Sequence, residues 1–359
     1  MKKRGGISQF RKDGGEEGHA DRDGKFLYFY FGMGICASHG FSEIQENNDR
    51  NENLVFIEKA LHVDGAAGPR LASLHSQQGH KGTNQDAAIL YQGFQGKGAF
   101  CGVFDGHGMY GHLVSNIVMN RLSTLITDQK NAFAFEELEE ESDGGTVSIN
   151  EWRRACVSAF KVMDKELKLQ GNFDCYSSGS TAVTIILQGD DLVITNLGDS
   201  RAILGTISQS DGLVALQLTT DLTPDLPHEA ERIKMSSGRV FALENEPHIQ
   251  RVWLPNEELP GLAMTRSFGD FLLKDYGVIA IPQMSHRRIT TNDQFLVLAT
   301  DGVWNVLSND EVAAIVWSAE REDAAAQAVV DATVAAWKSK FPSSKMDDCT
   351  AVCLFLQKR

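Results

Sequence analysis

Thr181–Thr206 reads TAVTIILQGDDLVITNLGDSRAILGT, three apolar, β-branched runs punctuated by Gly-Asp turns. Branching at Cβ favours extended chain, and Gly-Asp between such runs is turn chemistry. Turns this short cannot hold a crossover helix, so the three runs are expected as antiparallel neighbours. Helical patterns lie on either side. HLVSNIVMNRLSTLI (His112–Ile126) places Leu113, Ile117, Leu122 and Ile126 near one helical face. SNDEVAAIVWSAE opens with Ser308 three residues before Glu311, the spacing of a capping box, and EDAAAQAVVDATVAAWKSK continues as a second amphipathic helix. Antiparallel strands with flanking helices specify a layered α+β domain rather than a doubly wound one.

Several strands begin or end in a carboxylate. Asp86 closes GHKGTNQD just before AAILYQ; Asp105 ends AFCGVF; Asp301 follows FLVLAT; Asp347 and Asp348 precede CTAVCLFL. Strand ends of this kind converge at one edge of a sheet, and carboxylates gathered there repel unless a cation neutralises them. Oxygen ligands without a Cys or His cluster suit Mg²⁺ or Mn²⁺ better than zinc. Glycine after Asp105 allows close backbone approach, making the Gly106 carbonyl a further ligand. Two ions about 3.5–4 Å apart, sharing Asp105, would activate a water for in-line attack on phosphorus. His107, directly after Asp105-Gly106, is the candidate general acid for the leaving alkoxide. Lys81, five residues before Asp86, is the candidate phosphate contact.

Composition narrows the alternatives. With 42% hydrophobic and 23% charged residues, the 359-residue chain has the balance of a globular protein with a substantial core. A formal charge of −14 argues against a surface that coats nucleic acid, since phosphate backbones are held by clustered Lys and Arg. The six cysteines form no CxxC pair, which points to reduced, buried thiols in the cytoplasm or nucleus. Cys349 and Cys353 stand four apart in a strand pattern and share a face. No apolar run approaches the ~18 residues of a membrane span, and the acidic, glycine-rich stretch after MKKRG is wrong for a signal peptide.

These segments together resemble the metal-dependent type 2C serine/threonine protein phosphatases, most closely their plant branch. The resemblance runs in order through GHKGTNQDA, CGVFDGHGMYGHLVS, SSGSTAVTIIL, LVITNLGDSRAILG, LTTDLTPDLPHEAERI, GRVF, GLAMTRSFGD, LKDYGVIAIP, VLATDGVWNVLSNDEV and MDDCTAVCLFL, about Ser73 to Gln357. It implies a central antiparallel β-sandwich flanked by helix pairs, an αββα stack with a binuclear cleft at one end. It also implies dephosphorylation of phosphoproteins by a water activated at two Mg²⁺ or Mn²⁺ ions, with no phosphoenzyme intermediate. Carried over by motif, Asp105 bridges the ions, the Gly106 carbonyl, Asp301 and Asp347 complete the ligands, and Asp86 acts through waters. Asp347 rather than Asp348 fits the family register. Asp199 of GDSR would join a weak third site, where Asn305 stands in place of the family's usual Asp and lowers the affinity. Lys81 stands where many relatives carry Arg. A competing reading is a weakly active module that binds phosphoproteins, and a further rival is a nuclease or small-phosphoester hydrolase.

Outside the catalytic segments, residues 1–72 read as a flexible leader, residues 128–150 as an acidic insertion, and residues 227–262 as a flap beside the cleft. Trp253 in the flap is expected to pack locally. MGICAS (Met33–Ser38) has the form of a myristoylation signal at Gly34 with Cys36 placed for a second acyl chain. It would operate only if translation starts at Met33, giving membrane association to a monomer otherwise expected in the cytoplasm or nucleus. The mass of the native N-terminus distinguishes the two starts.

Overall fold

The computed structural model describes residues 53–58, 71–137 and 149–357. Its first sheet runs β1 (Leu54–Glu58), β3 (Asp86–Phe94), β4 (Gly98–His107), β6 (Ala182–Gln188), β7 (Asp191–Leu197) and β14 (Gln283–Arg288). The short β5 (Gly179–Ser180) joins β4 and the short β13 (Phe268–Gly269). The second sheet runs β2 (Ala72–Gln77), β16 (Cys349–Phe355), β15 (Asp293–Ala299), β8 (Arg201–Ser208) and β9 (Gly212–Gln217).

The two-residue period of each strand sorts its side chains between two cores. Ala88 and Leu90 of β3 point inward and pack with Val103, Ile185, Leu204, Leu298 and Val352 between the sheets. Ala87 and Ile89 point the other way, joining Phe100 and Phe104 under α1 (Gly111–Glu137) and α2 (Ile149–Lys168). On the far side Val297 and Cys353 pack with Val312, Val316, Val329 and Val330 of α6 (Asn309–Ser318) and α7 (Ala325–Lys340). The result is the expected four-layer αββα arrangement. Ser308 caps α6 in a complete capping box with Glu311. Cys349 and Cys353 share one core, and the five cysteines among the described residues are free and buried. No helix among the described residues is long and apolar enough to cross a membrane.

Four expectations need correction. The runs of Thr181–Thr206 are not all neighbours: β6 and β7 pair antiparallel, but β8 pairs with β15 and β9 in the opposite sheet. Alternation reveals which face of a strand is buried, not which sheet it joins, and Gly198, at φ +107°, lets the chain step across. Leu54–Glu58, placed in the leader by sequence, form β1, whose pairing with β3 is parallel. This parallel pair makes the first sheet mixed. The expected acidic loop at 128–150 is helical through Glu137 and again from Ile149. Of the face expected for α1, Leu122 and Ile126 are buried and Ile117 partly so, but Leu113 is exposed; the buried stripe is completed by Val114, Val118, Met119 and Leu125. Residues 138–148 and the candidate lipidation sites Gly34 and Cys36 lie outside the described residues.

The segment expected as a flap builds α3 (Pro227–Met235) and a three-stranded sheet, β10 (Arg239–Ala242), β11 (Gln250–Trp253) and β12 (Pro260–Leu262). Trp253 is buried, stacks on Phe241 at 4.9 Å and donates its indole N–H to the Phe241 carbonyl at 2.9 Å. Local packing therefore accounts for this tryptophan. Glu229 ties the segment to the body. It accepts from Arg232 of α3 at 2.6 Å, from Arg266 at 2.6 Å and from the Thr265 hydroxyl at 2.5 Å, all with its own carboxylate fully buried.

Burial alone would raise the Glu229 pKa, but hydrogen bonds from Arg266, Arg232 and Thr265 outweigh it and bring it to about 2. A folded-state pKa below the unfolded value contributes stability above the unfolded value, and that contribution is lost as pH falls through the folded one. Acid titration should therefore remove on the order of 3 kcal/mol between about pH 4.5 and 2 through this group. Denaturant unfolding of Glu229→Gln across that window should show a flatter dependence from a lower neutral-pH stability. An unchanged slope would assign the acid sensitivity elsewhere.

Candidate active site

Asp86 and Asp105 meet because they are paired in register, the first residue of β3 opposite the end of β4. Asp301 follows β15 as the first residue of the short helix α5 (Asp301–Trp304), and Asp347 stands two residues before the start of β16. Since β15 and β16 are antiparallel neighbours, with Ala299 opposite Ala351, these two ends also coincide. Asp199 occupies the step from β7 to β8. Both sheets thus deliver carboxylates to the same end of the sandwich. Gly106 has no room for a side chain, because a Cβ there would collide with the carbonyl oxygens of Gly111 and Gln85. Its own N–H donates to Gln85 O at 3.1 Å.

Burial and mutual repulsion dominate the electrostatics. Desolvation pushes Asp105 well above the ordinary carboxylate range, and the charges of Asp86, Asp301, Asp347 and Asp199 push it further. Asp86 is likewise raised by burial, although hydrogen bonds from Thr350 and Thr300, the latter at 2.8 Å, oppose the shift. Asp199 is raised to about 7 by burial and then by Asp301, and its Oδ1 is buried without a hydrogen-bond partner among the described residues. Asp301 is raised by burial and by Asp347, and accepts from the Asn305 amide at 3.1 Å. Lys81 pairs with Asp347 through its ammonium. Burial works against that charge, but Asp347 first, then Asp301 and Asp105, hold the lysine pKa above its usual value. Asp348 is engaged elsewhere: its oxygens accept from the backbone N–H groups of Gly79 at 2.7 Å and Gln85 at 2.8 Å.

One lysine does not balance this group, since Asp105, Asp86, Asp199 and Asp301 all remain raised. An all-oxygen, carboxylate-rich set with an orphaned buried oxygen fits hard divalent cations. Among the described residues no three His, Cys, Asp or Glu side chains close tightly enough to chelate an ion unaided. Backbone carbonyl oxygen and water therefore belong in any coordination shell, as in most Mg²⁺ sites.

His107, the last residue of β4, is held by a partner that sequence reasoning gave no role. Its Nε2 lies 2.7 Å from Asp270 Oδ2, and the same oxygen accepts from the Ser267 hydroxyl at 2.6 Å. Asp270 is buried, and its main chain is in the left-handed region at φ +50°. Gly179 makes the pair sterically feasible, because a Cβ there would strike both Asp270 Oδ2 and His107 Nε2. Burial works to lower the His107 pKa, yet the Asp270 charge and hydrogen bond prevail and raise it. The histidine accordingly favours its protonated form, with Nδ1 buried and lacking a protein partner among the described residues. Behind it Lys274 donates to Ser267 O at 2.6 Å and to Asp164 of α2 at 3.2 Å, bracing the loop. The signal for Asp270 was present in GLAMTRSFGD, but nothing in its spacing relates it to a histidine 163 residues away.

Comparison with known proteins agrees with this construction. A family model described as protein phosphatase 2C matches residues 71–339. The chain is 52% identical over 333 residues to probable protein phosphatase 2C 72 of Arabidopsis thaliana, covering 91% of this chain and 99% of the relative. It is 47% identical over 358 residues to probable protein phosphatase 2C 12 of Oryza sativa subsp. japonica, covering 90% and 92%. A crystal structure of serine-threonine phosphatase 2C from Toxoplasma gondii superposes with a TM-score of 0.72 at 28% identity, over 81% of this chain and 96% of that one. With carboxylates from both sheets gathered at one end of an αββα sandwich and a family match across most of the chain, the protein belongs to the protein phosphatase 2C family of metal-dependent serine/threonine phosphatases.

Proposed function

We propose that the chain hydrolyses phosphoserine and phosphothreonine in phosphoproteins at a centre for two Mg²⁺ or Mn²⁺ ions, by direct attack of water and without a phosphoenzyme. The observation that carries this reading is the convergence of strand ends from both sheets, which brings Asp86 opposite Asp105 and Asp301 and Asp347 to the same end of the sandwich. In this assignment Asp105, the Gly106 carbonyl, Asp301 and Asp347 would hold the ions, with Asp86 acting through water. Asp199 belongs to a third, weaker position. When bound, the ions supply the Lewis acidity that makes water a nucleophile at neutral pH and neutralise phosphate charge.

The remaining work falls to side chains. Lys81, exposed at the rim and paired with Asp347, exchanges that partner for a phosphate oxygen. His107 gives a proton to the departing Ser or Thr oxygen. Asp270 fixes the ring through Nε2 and sustains the charged form, as a carboxylate partner does for an acid–base histidine. Asp348 anchors the loop that carries Lys81 and Asp86 through Gly79 and Gln85, and its charge adds to the repulsion on Asp86.

Three outcomes test the assignment. Phosphate release from a phosphothreonine peptide should require added Mn²⁺ or Mg²⁺ and fall at least about 10³-fold in Asp105→Asn, the scale on which removing a key electrostatic group acts. Metal-independent release, or folded protein releasing none, would overturn the reading, the second in favour of a phosphoprotein-binding module. His107→Gln should slow phosphothreonine hydrolysis about 10²-fold or more, and Asp270→Asn by a smaller factor. Both should affect p-nitrophenyl phosphate far less, since p-nitrophenolate leaves without a proton; equal losses on both substrates would remove the general-acid role. Asn305→Asp exchanges an amide donor facing Asp301 for a second carboxylate, so the Mn²⁺ concentration for half-maximal thermal stabilisation should fall about tenfold, one charge interaction's worth. Superimposable melting responses in the two proteins would dissociate Asn305 from ion binding.

A further inference from the structure

Three short segments around His107 are laced together through the main chain. Asp270 N–H donates to Ser178 O and Leu272 N–H to Tyr176 O, each at 3.0 Å, while Tyr110 N–H donates to the Ser178 hydroxyl at 3.0 Å. Gly108, at φ +81°, places the Ser177 carbonyl where a side chain would stand, and its own carbonyl accepts from Gln85 Nε2 at 2.8 Å. Residues 107–110, 176–178 and 270–272 thus form one rigid stack, with the His107–Asp270 pair inside it.

This stack carries three large apolar side chains into solvent. Met109 is 76% exposed, Tyr176 52% and Leu272 41%. The neighbouring rings are well used: Tyr110 packs on Phe173 at 5.9 Å, and Tyr176 meets Phe271 edge-on at 6.0 Å. Backbone fixed in this way holds the stems of all three exposed side chains, so less order has to be created when a partner binds. Apolar groups exposed together at a fixed place mark a contact surface more often than chance scatter does.

Position selects the partner. Met109 is two residues from His107, so their Cα atoms are at most about 7 Å apart. A substrate whose leaving oxygen reaches His107 brings its residues one or two positions from the phosphorylated one within the same distance. We propose that Met109, Tyr176 and Leu272 form a subsite for an apolar side chain of the substrate, one or two residues from the phosphoserine or phosphothreonine. This specificity rests on the phosphatase reading above.

The test uses phosphothreonine peptides that differ by Leu against Ser at each position from two before to two after the phosphorylated residue. The full-length enzyme with Mn²⁺ should prefer Leu about tenfold in kcat/KM at one position, mainly through KM, the discrimination expected of a small apolar site. Met109→Ser combined with Leu272→Ser should reduce that ratio to about twofold, whereas Tyr176→Phe should retain it and Tyr176→Ser should not. Because each ratio compares two substrates of one preparation, partial misfolding cancels. Wild-type release with no preference at any position, or a preference that survives the double substitution, overturns the subsite while leaving the phosphatase reading intact. Absence of release from every peptide overturns both.

Discussion

Repulsion among buried carboxylates organises this protein. Antiparallel register places Asp86 against Asp105, and the ends of two further strands bring Asp301 and Asp347 to the same place. Such an arrangement opposes folding unless opposite charge or hydrogen-bond donors compensate. The surroundings supply what a protein can: the Thr300 hydroxyl to Asp86, the Asn305 amide to Asp301 and the Lys81 ammonium to Asp347. None of these removes the excess negative charge, and carboxylates left in that state favour a hard cation. The hydrophobic layers have a second task beyond stability, which is to hold the carboxylates close against their own repulsion.

Sequence patterns located the carboxylates better than they located the strands bearing them. Asp105 and Asp301 were legible because an apolar run ending in Asp-Gly leaves little doubt about where the strand stops. The assignment of β8 to the neighbouring strand position failed, since both sheets bury the same kinds of residue and a three-residue turn is compatible with either. β1 was missed because LVFIE is short and set in polar surroundings, and its half-buried pattern declares itself only against β3. Asp270 was invisible for a different reason. Its significance depends on a contact with His107 formed across the fold, through a space that Gly179 leaves open.

The catalytic end is assembled from parts with separate means of support. The carboxylates ride on the two sheets, His107 is oriented by a loop braced on α2 through Lys274 and Asp164, and the flap is tied down through Glu229. Each brace uses charge pairs that are wholly or largely buried, where loss of one partner is costly and alternatives are few. Changes in the flap can therefore alter its exposed surface without disturbing the carboxylates, provided that Glu229 and its arginines remain.

The contact between Lys81 and Asp347 places one positive charge within the carboxylate cluster. Any other cation that approaches Asp347 Oδ2 meets an ammonium already in place. More than half of that lysine side chain is exposed, so its charge faces the carboxylates on one side and solvent on the other. One side chain thus stands between the negative interior of the cluster and whatever anion arrives from outside.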